Sequence, residues 1–174
     1  MSVLTHSDVI NYASKWVKRK FPLVFKEWAW SGQEQPDIFA VNYSNSCIVE
    51  AKVSRSDYRA DFKKPFRKDI SPGMGDFRFY ACPEGLITLD DFTEQMKSNW
   101  GLLYINEKGK VKCIHNPFCE HPDGNIWHNQ NIKCKKAEYG IMYSIMRKFT
   151  EINKQQESII NKLHDLEQQE IITS

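Results

Sequence analysis

The sequence predicts an α/β (α+β) fold with a mixed central sheet, and three features carry that expectation. An amphipathic helix comes first. A cluster of strand-like runs follows, interrupted by a second helix, and a long proline-free helix closes the chain. The 174 residues suit one core, expected over residues 1–135, with a helical extension over 136–174. With 41% hydrophobic residues the chain needs neither a disulfide nor a metal staple to fold.

The first helix is expected over residues 5–21. Thr5 or Ser7 can cap it, Val9, Ile10, Ala13, Trp16 and Val17 recur at helical spacing, and Pro22 closes it. Strands are expected over 23–30, 37–43 and 46–53, the last two forming a hairpin about Ser44-Asn45. A helix over 54–64 ends at Pro65, and 77–82 reads as a fourth strand. Residues 101–106 and 110–115 form a second hairpin through Glu107-Lys108-Gly109, and 116–134 reads as loop. The closing helix, about 137–169, repeats Met142, Ile145, Phe149, Ile152, Gln156, Ile159, Leu163 and Leu166 at alternating steps of three and four. That is a coiled-coil seam, and it suggests a homodimer through this helix against the alternative of a helix lying along its own domain.

Composition narrows the setting. No apolar run approaches the roughly 18 residues of a membrane span, so no membrane partner is expected. The opening residues lack the basic and apolar regions of a secretory leader. Five cysteines, irregularly spaced, do not form a disulfide framework. The expectation is a soluble cytoplasmic (intracellular) protein.

Chemistry concentrates in Gln35-Pro36-Asp37 and in Glu50-Ala51-Lys52. With the hairpin turn centred between Ser44 and Asn45, Asp37 falls opposite Lys52 and Phe39 opposite Glu50. Asp37, Glu50 and Lys52 then share one face, while Ile38, Ala40, Cys47, Val49 and Ala51 form an apolar face behind them. Two adjacent carboxylates repel, and a hard divalent cation relieves that repulsion. Asp37, Glu50 and the carbonyl of Ala51 are oxygen ligands suited to Mg²⁺ (or Mn²⁺), with Lys52 placed to orient water and offset charge on a phosphate. A structural ion pair between Lys52 and Asp37 fits the same spacing.

Pro36-Asp37, followed after twelve residues by Glu50-Ala51-Lys52, resembles the PD-(D/E)XK nuclease superfamily. The order αβββαβ agrees with the restriction-endonuclease-like core of that superfamily. The run Glu50-Ala51-Lys52-Val53-Ser54-Arg55-Ser56-Asp57-Tyr58-Arg59-Ala60-Asp61-Phe62-Lys63 is similar to the E-x-K-x-S-x-x-D-[FY]-x-x-D-x-K pattern of MmcB-like proteins, a group assigned to DNA repair. The segment from Asp76 to Ile87 and the helix from Glu138 to Arg147 resemble the same group, and the likeness spans roughly residues 34 to 106. It implies metal-dependent cleavage of nucleic acid, with Asp37, Glu50 and Lys52 catalytic. Many such nucleases take a further carboxylate from the first helix. Here that helix offers only Asp8, and Glu27, sharing a strand face with Phe25 and Ala29, is the better match.

Net charge is only +2, but seven basic residues between positions 52 and 68 face two acids. Ser54 as N-cap, with Arg55, Arg59, Lys63 and Lys64 behind it, forms the expected nucleic-acid contact; a solvated helix face is the plainer account. Trp28 and Trp30 flank the site and could stack on bases, although core packing explains most of the aromatics. Cys113, His115, Cys119 and His121, with His128 and Cys134 nearby, offer soft ligands for Zn²⁺, and Cys113 and His115 would share a strand face. The one-residue spacing within each pair favours an ordinary polar loop instead. The leading expectation is a divalent-metal-dependent nuclease that hydrolyses phosphodiester bonds in DNA. The alternatives are a non-cleaving module that binds nucleic acid or a partner, and a phage or mobile-element factor working through its helix.

Overall fold

The computed structural model describes residues 4–32, 34–61, 63–64, 73–120, 127–128 and 130–173, with side chains left undescribed beyond 164. Helix α1 spans His6–Val17 and starts in a capping box, in which Thr5 and Asp8 satisfy each other's backbone amides. Among the described residues six strands follow: β1 Leu23–Lys26, β2 Ile38–Val41, β3 Ser46–Ala51, β4 Phe77–Pro83, β5 Gly101–Ile105 and β6 Val111–His115. They lie side by side in chain order. Only β3–β4 and β4–β5 are parallel, so the sheet is mixed as expected.

Each parallel pair needs a crossover. Between β3 and β4 the chain forms α2, Arg55–Asp61. Between β4 and β5 it forms a short 3₁₀ turn at Leu89–Asp91 and α3, Glu94–Asn99. The last two elements were not expected, yet both begin at a threonine: Thr88 boxes with Asp91, and the Thr93 hydroxyl accepts from the Met96 amide. Helix α4, Lys135–Thr173, is 39 residues long, roughly 58 Å.

The sheet has two unlike faces. One is apolar: Ile38, Ala40, Cys47, Val49, Ala51, Phe77, Phe79, Ala81, Leu103 and Cys113 pack with Val9, Ile10, Ala13 and Val17 of α1. Trp127 closes this core among Trp16, Phe77 and Phe79. The other face carries Glu50, Lys52, Tyr80 and Leu102 beneath α2 and the 3₁₀ turn, where Tyr80 meets Tyr58, Phe92 and Trp100.

Two local devices change the expected geometry. The Asn42 side chain accepts the amides of Ser44 and Asn45, fixing the hairpin turn one position earlier than expected. Phe39 therefore lies opposite Ile48 rather than Glu50. Strand β1 stops at Lys26, and not at Trp30, because Glu27 adopts φ +47 and breaks the alternation.

A buried polar knot anchors the start of β3. Ser46 gives its backbone amide to Asp76 at 2.8 Å and its hydroxyl to Glu138 at 2.6 Å, while the Lys133 ammonium lies 2.9 Å from Glu138 and also pairs with Asp76. These contacts raise the Lys133 ammonium above its usual pKa against the desolvation that lowers it.

The chain divides into two compact units, Met1–Glu138 and Tyr139–Ser174. Along the second, the seam residues Met142, Phe149, Ile152, Ile159 and Leu163 are exposed, and the Leu166 side chain lies outside the described residues. Among the described residues, no helix is long and apolar enough to cross a membrane.

Gly101 is opposite Phe79 in the parallel β4–β5 pair, and a Cβ there would come within 2.2 Å of the Phe79 ring and 2.9 Å of the His115 carbonyl. Gly101→Ala is expected to destabilise the chain by about 1–3 kcal/mol through overpacking. Urea denaturation reads this as a lower midpoint, and an unchanged midpoint would mean that the β4–β5 spacing is wrong.

Candidate functional site

The polar face of the sheet gathers its charges by strand alternation and by the return of α2. Glu50 and Lys52 are two residues apart on and just past β3, so they point the same way, and the Lys52 amide prolongs the ladder to the Ala81 carbonyl at 2.9 Å. Glu50, Lys52 and Asp61 are 1%, 3% and 1% exposed. The Lys52 ammonium is 3.2 Å from Glu50 Oε2 and 3.4 Å from Asp61 Oδ1. Lys64 bridges the same two carboxylates, at 3.4 Å and 2.7 Å. Tyr80, paired with Glu50 across β3–β4, donates its hydroxyl to Asp61 Oδ2 at 2.8 Å. Two acids and two lysines thus alternate around one cluster. Burial of Glu50, Lys52 or Asp61 alone would cost several kcal/mol, and each is offset by its partners.

Asp37 reaches the site from the hairpin's opening. Continuing the β2–β3 register one step past Ile38 and Val49 sets it across from Glu50, not Lys52. Its Oδ2 accepts the Ala51 amide at 2.7 Å and lies 3.5 Å from His6 Nε2. Desolvation raises the Asp37 carboxyl above its ordinary pKa, although the Ala51 amide and the charges of His6, Lys52 and Lys64 pull it down. The parity of the strands survives the register change, so Asp37, Glu50 and Lys52 share a face as expected.

The other expected residues separate into groups. Glu27 is exposed beyond the end of β1, and among the described residues no three His, Cys, Asp or Glu side chains gather to hold a metal. Its expected place beside Phe25 and Ala29 is lost with the strand. Asp8 is likewise taken up by the α1 cap, and what α1 brings to Asp37 is His6. Ser54 caps α2 as anticipated, accepting the Asp57 amide at 3.1 Å. Arg55, although exposed, donates to the Leu86 carbonyl and pairs with Asp91. Arg59 and Lys63 remain exposed, while Arg67 and Lys68 lie outside the described residues. The Trp30 indole donates to the Glu34 carbonyl at 3.0 Å, within its own loop.

Cys113 and His115 do not come together. A β-bulge pairs Leu102 with His115 but Leu103 with Cys113, so the two side chains lie on opposite faces and not on one as expected. Cys113 enters the α1 core, whereas His115 Nε2 pairs with the Lys97 carbonyl at 2.6 Å. Cys119 is half-buried, and His121 lies outside the described residues.

Asp61 and Tyr80 were not singled out as site residues from the sequence. The available signal was Asp61's helical phase with Ser54, Asp57 and Tyr58, which placed it on a face without revealing that the face turns toward Lys52.

No family model matches the chain, and no curated protein matches it. Among solved structures it is similar to a protein of unknown function from Silicibacter pomeroyi, with a TM-score of 0.56 and 12% identity over 88% of this chain and 94% of that one. At that identity the likeness shows a shared fold.

The raised carboxyl of Asp37 has a consequence for stability. An acid whose pKa rises on folding favours the folded state below its unfolded value and disfavours it as pH rises through the folded one. Asp37→Asn keeps an oxygen for the Ala51 amide and removes the buried charge. This variant is expected to be more stable than the native chain at pH 7, with the gain fading below about pH 4. Paired urea melts across that range check it; a less stable Asp37→Asn at pH 7 would contradict the electrostatic reading.

Proposed function

We propose that the chain is a divalent-metal-dependent nuclease of the PD-(D/E)XK type, related to the MmcB-like group and acting on DNA. The observation that carries this reading is the convergence of Asp37 and Glu50 at one hairpin mouth with the buried Lys52 ammonium 3.2 Å from Glu50. The donor set suits a hard cation. Mg²⁺ habitually takes one or two carboxylates and keeps several waters, which Asp37, Glu50 and the Ala51 carbonyl would satisfy. Burial raises the Asp37 carboxyl, and a cation bound beside it would draw it back down. When bound, such an ion supplies Lewis-acid activation of water and neutralisation of phosphate charge.

The chain's own groups have separate tasks. Lys52, held between Glu50 and Asp61, directs its ammonium protons toward the attacking water and the phosphate oxygen on which charge develops. Asp61, fixed by the Tyr80 hydroxyl, sets the direction of that ammonium. His6 carries a positive charge beside Asp37 when protonated. Arg59 and Lys63, both exposed, neutralise backbone phosphates.

A second reading is a non-cleaving module that binds nucleic acid or a partner. It is favoured by one observation: Glu50 and Asp61 are already matched by two lysines, so the cluster is balanced as a structural unit.

Incubation with single- and double-stranded DNA and RNA, with Mg²⁺ or Mn²⁺ and with EDTA, separates the two. Cleavage is expected with metal only, and Glu50→Gln should lower it at least about a hundredfold while circular dichroism stays native. Undiminished cleavage by Glu50→Gln would remove the nuclease mechanism. For binding to duplex DNA, replacing both Arg59 and Lys63 by Gln should reduce the slope of log K against log salt by about 1.8. An unchanged slope would return both residues to an ordinary solvated surface.

A further inference from the structure

We propose that Lys64 is a built-in counter-ion of the site, and that a divalent cation binds at Asp37 and Glu50 by displacing its ammonium from Glu50. This inference rests on the metal-dependent reading above and adds the way in which the metal is admitted.

The geometry comes first. Lys64 Nζ touches Asp61 Oδ1 at 2.7 Å and Glu50 Oε2 at 3.4 Å, so one ammonium spans two carboxylates from different elements. It thereby occupies the Glu50 carboxylate that the metal would need. Lys52 touches the same two oxygens, at 3.4 Å and 3.2 Å, but the two lysines are not equivalent. The Lys52 side chain is 4% exposed and its backbone is fixed in the β3–β4 ladder. The Lys64 side chain is 38% exposed and hangs from a turn that closes on the Asp61 carbonyl. Its stem can swing the ammonium into water, where hydration replaces the lost pair, while Lys52 has no such exit.

Repulsion decides which arrangement holds. A divalent cation on Glu50 would lie a few ångströms from both ammoniums, which touch the same Glu50 oxygen. Departure of Lys64 into water removes one of those repulsions while Lys52 stays in place. Metal entry and Lys64 departure are therefore coupled, and each opposes the other's reversal by the same factor. The metal-free site stays folded without a strongly repelling pair of acids, and the lysine sets a threshold that a cation must exceed.

The test uses the full-length chain, stripped with EDTA and titrated with Mn²⁺ followed by electron paramagnetic resonance. Lys64→Met is expected to bind Mn²⁺ on the order of ten- to hundredfold more tightly than the native chain, from removal of one competing charge a few ångströms away. Lys64→Arg, which keeps the charge, should bind within a few-fold of native. Equal or weaker Mn²⁺ affinity in Lys64→Met overturns the exchange. Absence of Mn²⁺ binding in every variant overturns both the exchange and the metal-dependent reading. Tighter binding in Lys64→Met without cleavage by any form supports the exchange and removes the nuclease.

Should Lys64→Met fail to fold, the native chain supplies the readout. Acetylation of Lys64 by an amine-reactive ester, quantified by mass spectrometry, should accelerate several-fold on addition of Mg²⁺ while Lys52 stays protected. Unchanged Lys64 reactivity at saturating Mg²⁺ overturns the proposal.

Discussion

A lysine buried between two carboxylates is the constraint around which the polar half of this molecule is arranged. Lys52 has almost no solvent, and an uncompensated ammonium there would cost several kcal/mol. Its partners come from different levels of the fold: Glu50 from the same strand, Asp61 from the end of the crossover helix. Tyr80, on the neighbouring parallel strand, holds Asp61 in turn. The pairing of β3 with β4 and the return of α2 must therefore be correct together, or a buried ion is left alone. An apolar cluster tolerates small slips, whereas this arrangement penalises them, so the ion network selects one register as much as it adds stability.

The opposite face supplies the driving force. Its strand residues and the apolar stripe of α1 remove water from a continuous set of aliphatic and aromatic side chains, to which burial contributes roughly 25 cal/mol per Å². The division of labour follows from strand periodicity alone. Alternate residues of β3 enter opposite environments, so Cys47, Val49 and Ala51 form core while Glu50 and Lys52 are presented to the other side.

That same periodicity explains how much could be read in advance. The order of elements along the chain implied the mixed sheet, and the shared face of Asp37, Glu50 and Lys52 follows from alternation, which a two-residue register change leaves intact. Details set by single side chains were less legible. Asn42 moved the hairpin turn by a side-chain hydrogen-bond pattern that competes with the expected Ser44-Asn45 turn, and one extra residue in β6 separated Cys113 from His115. The 3₁₀ turn and α3 were announced only by Thr88 and Thr93, without an apolar period long enough to register. Asp61 and His6 belong to the site through tertiary closure, and no local pattern states which distant strand a short helix will face.

The stacking beneath the ion network gives the molecule an optical property. The rings of Tyr80 and Trp100 lie 4.3 Å apart and 19° from parallel, while Tyr58 and Phe92 meet Tyr80 edge-on. Tyr80 is thus held at both ends, by a carboxylate at its hydroxyl and by an indole against its ring. A fixed, asymmetric aromatic pair produces near-ultraviolet circular dichroism, a signal that disappears when side-chain packing loosens even if the backbone stays ordered. The polar face therefore carries its own chromophore, placed one hydrogen bond from the charges it reports.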